Sequence, residues 1–430
     1  MSNDLIADFT YHTDFAQVEA DQEVVNLTRF SLFFPEKRQF FTETAGIFDF
    51  GKSVSGLGGD AAANDPGLLN LFYSRRVGLV DGQQIPLAGG GRLTGRVGPY
   101  AIGVMNISTQ EQRLSANRLI DNANFTVLRL KRNVLKSSNV GVLMTNSQSG
   151  ISDYNRAAGL DAAWVLGSHV TMTTVLAKSF SPAAKHRDES AGQQMAGVVD
   201  YTWKNDRFSY GGQYLDVGEH FNAEMGYIPR LDIRSGNARA AWTPRPKFGG
   251  IRQMTFSGLA NYYENHAGVV DSRAQVGTIS MARQDTSSLS ASVTHDFDDL
   301  SVPFATAGTT LPVGPYDWTY TTVTYSSNRT RRTYGSISTD VGGYYNGDRR
   351  SLKVNWNITF GKTLLLEPNF THNRVQLPGR PLYTSNVANF RVSHSFSPDF
   401  YLKAFFQYND DRKTSSFNLD RKSTRLNSSH

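Results

Sequence analysis

The sequence SLKVNWNITFGKTLLLEPNF, residues 351–370, contains the pattern that decides the fold. From Leu352 to Phe360 every second residue is apolar, and the residues between them are polar. A two-residue period is typical of a β-strand with one apolar and one polar face. A second apolar segment follows directly after Gly361-Lys362, so the stretch predicts a β-hairpin with a tight turn.

Similar segments recur through most of the chain, joined alternately by short turns and mostly longer polar connections. We count nine hairpins from Arg92 onward and candidate strands at Leu5 to His12 and Leu71 to Leu79, about 20 strands in all. Short turns on one side and long loops on the other are typical of outer-membrane barrels. The sequence therefore predicts an all-β fold, a large antiparallel up-and-down transmembrane barrel that is incomplete at both ends. A soluble β-sandwich array or propeller is the alternative.

The composition of the 430-residue chain is compatible with such a barrel. Mean hydropathy is −0.39, and no apolar run approaches the ~18 residues of a transmembrane helix. A barrel strand exposes only alternate residues to lipid, so its mean hydropathy stays low. The absence of cysteine excludes disulfides and thiolate metal sites.

The charges are scattered along the chain. There are 44 Lys and Arg against 38 Asp and Glu, a net charge of +6. Without a long basic run, this balance argues against nucleic acid as a partner. It favours anionic solutes or lipid phosphates, or it is simply evenly solvated charge.

Residues 13–70 interrupt the alternation. They contain NLTRFSLFFPEKRQFF at residues 26–41, in which apolar pairs flank a charged centre. We expect this segment to fold into the lumen as a plug or to cap the periplasmic mouth, either gating the barrel or merely closing its end. The residues expected to take part are Arg29, Phe33, Phe34, Pro35, Glu36, Lys37, Arg38, Phe40, Phe41, Arg75 and Arg76.

Three pieces of sequence carry a family resemblance: DFAQVEAD at residues 14–21, VNLTRFSLFFPEKRQFF at 25–41 and FYSRRVG at 72–78. They resemble the signature of an uncharacterised family of bacterial outer-membrane β-barrels. Full-length members of that family carry a carbohydrate-binding family 9-like domain before the barrel. The resemblance implies the bacterial outer membrane as location and no settled biochemical activity. It transfers carbohydrate binding to no residue of this chain.

The pattern divides the chain into four parts. Residues 1–12 are expected to form the first barrel strand, 13–70 the signature segment and 71–410 the barrel hairpins. Residues 411–430 are expected to be a loop followed by a non-native tail. That tail, RKSTRLNSSH, is polar, has no period and resembles translated sequencing-adapter sequence. Part of an external loop is the alternative, and we expect the native chain to extend at both ends, with an export signal at its beginning.

The polar face of the late strands is expected to line the barrel interior. Its residues are Lys353, Asn355, Asn357, Glu367, Asn369, Arg391 and Lys403, with Arg129 and Lys131 in an earlier strand. Mixed charge in a lumen tunes ion or solute selectivity, but it also simply solvates a wide interior.

Motifs for catalysis or cofactor binding are lacking. There is no zinc-protease, phosphate-loop or nucleophile-elbow motif, and Asp60, Asp65 and Asp81 lack the spacing of a calcium loop. His394 is flanked by Ser393 and Ser395, but alternation places both serines on the opposite face. No reaction and no cofactor are predicted.

The sequence thus predicts an outer-membrane barrel that passes a solute or supports a surface assembly. The expected partners are outer-membrane lipid, including lipopolysaccharide, and a small solute or glycan that the sequence does not identify. One alternative is a barrel-embedded hydrolase of lipase or protease type. The other is a structural or docking barrel whose lumen residues 13–70 plug.

Overall fold

The computed structural model describes residues 4–12, 21–51, 69–80, 83–115, 118–151, 153–182, 193–397 and 400–423. The chain is all-β and contains a large antiparallel sheet of 20 strands. This confirms the fold class that the alternating pattern predicts, at the level of an antiparallel β-structure. Residues 13–20 and 52–68 of the signature segment and residues 424–430 of the tail lie outside the described residues.

The strands alternate with a few short helical turns. Among the described residues there is one α-helical turn, α1 (Gln39–Thr42), and 3₁₀ turns lie at Ala45–Ile47 and Ser74–Arg76. The strands are β1 (Asp4–Tyr11), β2 (Leu79–Val80), β3 (Gln83–Gln84), β4 (Leu87–Val97), β5 (Tyr100–Thr109), β6 (Gln112–Ser115), β7 (Arg118–Ile120), β8 (Asn124–Val134), β9 (Ser138–Gln148), β10 (Tyr154–Leu166), β11 (Val170–Phe180), β12 (Met195–Lys204), β13 (Phe208–Val217), β14 (Ile233–Trp242), β15 (Ile251–Glu264), β16 (Val270–Arg283), β17 (Ser288–Leu300), β18 (Phe304–Thr306), β19 (Thr309–Leu311), β20 (Gly314–Ser326), β21 (Thr333–Tyr344), β22 (Gly347–Phe360), β23 (Leu364–Gln376), β24 (Tyr383–Ser397), β25 (Phe400–Asn409) and β26 (Thr414–Ser423).

The main sheet is a meander in which each strand pairs with the next sheet strand along the chain. It begins with β1 against β4 and ends with β25 against β26. The small pairs β2–β3, β6–β7 and β18–β19 form separate hairpins in the connections. Within the described residues the edge strands β1 and β26 are not hydrogen-bonded to each other, so hydrogen bonds do not close the sheet.

The hairpin at residues 351–370 is confirmed. It lies in β22 and β23, which are joined at Gly361. Gly361 has φ +62°, a left-handed conformation that glycine adopts without steric cost. Tight turns also lie at Gly98-Pro99 and after Leu166, whereas 15 residues separate β13 from β14. Short and long connections therefore alternate over much of the sheet, but not around the short connections between β15 and β16 and between β21 and β22.

Two predicted segments differ from the structure. Leu71 to Leu79 is not a strand of the main sheet, because its backbone groups form hydrogen bonds with the β13–β14 connection and with Arg38. The N–H of Tyr73 donates to the carbonyl of Met225 at 2.7 Å, and the guanidinium of Arg38 donates to the carbonyls of Ser74 and Val77, both at 2.6 Å.

The other difference is β26, which lies within residues 411–430, expected to be loop and tail. Thr414–Ser423 pairs with β25 over its whole length. Its alternation is short, with only Phe417 opposite Phe406 and Leu419 opposite Ala404, which explains why the pattern did not reveal it.

The two faces of the sheet have opposite character. In β10, Leu160 is 57% exposed, while its neighbours Gly159 and Asp161 are buried. We call the face that carries the buried side chains the inner face. Large exposed apolar side chains occur along the other face at Val104, Leu128, Leu130, Met144, Leu176, Val199, Tyr210, Ile279, Val293, Val341, Phe370, Phe390 and Phe406. A water-soluble sheet has the reverse arrangement.

Two apolar clusters lie between the inner face and residues 21–51, which we call the inner segment. The larger packs Phe41, Phe48 and Phe50 of the inner segment, with Leu71, against strands β5 to β14. The smaller surrounds Leu27 and comprises Leu300, Leu311, Tyr344, Tyr345, Val375 and Leu377. In the part of the chain that the structure describes, no helix is long and apolar enough to cross a membrane.

Candidate functional site

The inner segment contacts strands near both edges of the sheet. The N–H of Glu23 donates to the side-chain carbonyl of Gln407 in β25 at 2.7 Å. At its other end, the guanidinium of Arg92 in β4 donates to the backbone carbonyl of Phe40. Since β4 and β25 are separated by most of the sheet, the sheet must curve around the inner segment.

Arg29 ties the inner segment to β16 and β17. Its guanidinium lies 2.7 Å from the carboxylate of Asp271 and 2.8 Å from that of Asp298. Asp271 also pairs with Arg230 at 3.1 Å. Charge-assisted contacts of this kind add directional specificity to the docking.

Arg230 is held between two aromatic rings. Its guanidinium carbon lies 3.8 Å from the ring centre of Phe30 and 4.0 Å from that of Tyr263. Cation–π contacts stabilise a guanidinium most where water is excluded. Phe30 therefore packs beside Arg29 at the same junction between the inner segment and the sheet.

The predicted charged centre links the inner segment to the turn at Ser74–Arg76. We call the contacts of Glu36 with Arg38 and Ser74 the Glu36 staple. The Glu36 carboxylate accepts hydrogen bonds from Arg38 Nε at 2.9 Å and from Ser74 Oγ at 2.7 Å. The Arg38 guanidinium lies 4.2 Å from the ring centre of Phe41. Burial by itself raises the pKa of Glu36, but the hydrogen bonds and the charge of Arg38 outweigh it and hold that pKa below its ordinary value.

The remaining charged residues of the signature also find partners. Arg75 Nη1 donates to Asp21 at 3.0 Å and to the carbonyl of Pro35 at 3.2 Å. The Lys37 ammonium lies 3.7 Å from the same aspartate. Arg76 donates to a backbone carbonyl in the long β13–β14 connection.

Aromatic contacts complete this assembly. The ring of Phe33 lies 4.9 Å from that of Tyr73 and 5.2 Å from that of Tyr227. The Tyr73 hydroxyl donates to the carbonyl of Phe34, and burial raises the pKa of Tyr73. The sequence pieces at residues 25–41 and 72–78 thus pack on each other, and all eleven residues expected to take part belong to or adjoin the inner segment. Their plug or cap role stays a prediction.

A buried ion pair lies beneath the inner segment, and sequence reasoning found only half of it. Arg129, 2% exposed, makes a bidentate contact with Asp161 at 2.6 and 2.8 Å. Asp161 also accepts a hydrogen bond from the N–H of Gly51 at 3.2 Å, and Arg129 lies under the ring of Phe50. A lone aspartate in the middle of the LDAAW strand was the available signal for this partner.

The residues predicted to line the interior lie on the polar face of β22 to β25. Glu367 and Arg391 are opposite in register, with 3.7 Å between their charged groups. Lys403 lies 5.2 Å from the ring of Tyr401. Three asparagines follow one another across the strands at positions 355, 369 and 389. Asn357 shares the face of Asn355 by alternation.

A cavity of about 690 Å³ lies between the inner segment and the sheet. Its wall includes strands β13 to β15 on one side and residues of β22 and β24 on the other. The lining residues are Asp21, Gln22, Val24, Thr28, Phe30, Ser31, Leu32, Phe33, Phe34, Pro35, Lys37, Leu69, Leu215, Val217, Ile228, Pro229, Arg230, Ile233, Tyr263, Lys353 and Arg391.

The geometry does not assemble a hydrolase around His394. Its ring packs edge-to-face on Phe396, with the ring centres 4.2 Å apart, and strand alternation directs Ser393 and Ser395 away from it. Across the described ranges, no group of three or more His, Cys, Asp and Glu side chains is placed to hold a metal ion.

The fold and site therefore define an all-β protein whose curved sheet surrounds a docked N-terminal segment. Residues 1–86 match a family model described as a domain of unknown function (DUF5916). This match includes the inner segment and the FYSRRVG piece, and it supports the presence of an uncharacterised domain there. The comparisons with curated proteins and with solved structures gave no match.

Proposed function

We propose that this protein is an outer-membrane β-barrel that passes a small solute through an interior partly filled by residues 21–51. The observation that carries the proposal is the reversed polarity of the sheet. Exposed apolar side chains such as Leu160 and Ile279 alternate with buried polar ones such as Asp161 and Arg129. Lipid around the sheet would cover the apolar face and leave the polar face to the interior.

The dimensions of the strands support the same proposal. The strands from β8 to β25 in the main sheet contain 10 to 15 residues. About 9–11 tilted residues span a bilayer. A solitary open sheet with such an apolar outer face would aggregate in water, because it exposes both edges and a large apolar area. The bacterial outer membrane is the location that the family resemblance implies.

A second function is supported by the docking of the inner segment. Contacts at Glu23, Arg29 and Phe40 tie it to strands around the sheet. Such a segment would serve equally as a permanent plug in a structural or docking barrel. The two functions differ in whether ions can pass.

The test is single-channel conductance of the complete chain in planar lipid bilayers. We expect measurable conductance in the parent and a higher open fraction in Arg29→Gln, because that change removes two ion pairs that hold the inner segment. The matched control is Arg245→Gln, which removes an exposed pair with Asp206 in a turn. Failure to insert into lipid would refute the barrel. Insertion with no conductance in any of the three proteins would refute passage and favour the docking function.

A further inference from the structure

The cavity beside the inner segment has an excess of positive charge. Four cations line it, Lys37, Arg230, Lys353 and Arg391, together with one carboxylate, Asp21. Two further carboxylates pair with lining cations from outside it, at Asp271 and Glu367. If each of these three carboxylates neutralises one of the four cations, one positive charge remains.

Lys353 carries that unbalanced charge. It lies on the polar face of β22, opposite Thr371 in register, and its side chain is exposed towards the cavity. Among the described residues, no carboxylate lies within ion-pair distance of its ammonium group. Since no carboxylate neutralises it, this ammonium group is available for a charge-assisted hydrogen bond with an anion bound in the cavity.

The rest of the wall is mainly apolar. Phe30, Phe33 and Phe34 come from the inner segment, and Leu215, Val217 and Ile228 come from the sheet and its connection. A cavity of 300–1,000 Å³ with an apolar wall and a few convergent polar groups is typical of small-molecule sites. The volume of about 690 Å³ is within that range.

We propose that this cavity binds a small organic anion, with its carboxylate or phosphate at Lys353 and its apolar or ring-shaped body against the phenylalanines. The proposal rests on the proposed function and names the class of solute that would pass. Cations are disfavoured by the charge of the wall, and bare inorganic anions would leave the apolar surface uncovered.

The test is calorimetric titration of the complete chain in phosphatidylcholine nanodiscs with phenyl phosphate. Benzyl alcohol, benzylamine and inorganic phosphate are titrated in parallel. We expect phenyl phosphate to bind at least ten times more tightly than the other three. Lys353→Gln should weaken phenyl phosphate binding about tenfold, since a charge-assisted hydrogen bond is lost. Lys362→Gln, an exposed lysine in the turn that follows the same strand, is the matched control and should bind as the parent does.

Three outcomes would overturn the inference: benzyl alcohol or inorganic phosphate binding as tightly as phenyl phosphate, equal affinities of Lys353→Gln and Lys362→Gln, or no binding. Conductance measured on the same preparations separates this inference from the proposed function. Conductance without binding refutes the anion site alone. Binding without conductance refutes passage and leaves the site intact.

Discussion

The inner segment meets two unlike walls. Strands β5 to β12 present closely packed apolar side chains to it, among them Ile107, Val127 and Leu143, all fully buried. Strands β15 to β25 present more polar and charged groups. They hold the segment through the smaller apolar cluster around Leu27 and through separate polar contacts such as Arg29 to Asp271 and Glu23 to Gln407. The segment therefore packs against a larger apolar cluster on the first wall, strands β5 to β12, than on the second wall, strands β15 to β25, where polar contacts contribute more of its attachment.

This difference teaches where stability and where adaptability reside. In a closely packed core, each buried methylene that loses its contacts lowers the stability of the protein. The first wall, strands β5 to β12, therefore holds the segment rigidly. Ion pairs and hydrogen bonds that keep some access to water are worth less and can exchange partners. Movement that opens a path is therefore expected along β15 to β25.

The largest effect is expected from Arg129→Met. The change leaves the Asp161 carboxylate buried without its counter-charge, and breaking a buried pair costs about 3–5 kcal/mol. We expect the free energy of unfolding, measured by urea titration in detergent, to fall by about that amount. The control, Arg245→Met, breaks an exposed pair and should change it by less than about 1 kcal/mol. Equal losses in both variants would show that the first wall is not a rigid anchor.

A smaller effect is expected from Gly159→Ala. A methyl group there would overlap the ring of Phe50 and lie 2.6 Å from Leu71 Cδ1. Overpacking a well-packed core costs about 1–3 kcal/mol. We expect faster protease cleavage of the inner segment in this variant. Gly236→Ala, where no atom lies within 4 Å of the added carbon, should be cleaved at the parent rate. A parent-like rate for Gly159→Ala would mean that the contact with Phe50 is loose.

The smallest effect concerns pH at the Glu36 staple. The pKa of Glu36 is below its ordinary value in the folded protein. Its contribution to stability is therefore present above about pH 4.3, the ordinary glutamate value, and is lost as the pH falls through the lowered pKa. We expect protease resistance of the inner segment to decrease as the pH falls below about 4.3. The decrease should be smaller in Glu36→Gln but unchanged in Glu111→Gln, whose side chain lies exposed in a loop. An identical pH profile for all three proteins would show that the staple does not secure the segment.

Much of the sheet could be predicted because strand alternation is a local property. In Leu352 to Phe360, each residue's face follows from its position, and the structure confirms that strand. The prediction of a strand at Leu71 to Leu79 was wrong because the hydrogen-bond partners of its backbone, including Arg38 and Met225, are distant in sequence. β26 was missed because only two apolar residues mark its alternation.

The candidate site was predictable only in part. The charged centre around Glu36 and Arg38 was recognisable as an unusual segment, and the structure places those side chains against Ser74 and Val77. Its partners could not be read from the sequence, because an ion pair needs only proximity and leaves no periodic signal.

The sequence by itself determined the all-β class, the hairpin rhythm and the existence of an atypical segment before it, because those depend on neighbours two residues apart and on turn chemistry. Only the tertiary structure decided that this segment lies against the inner face, that Arg129 pairs with Asp161 and that Lys353 faces a cavity. Those facts depend on how the sheet curves, which brings together residues far apart in the chain.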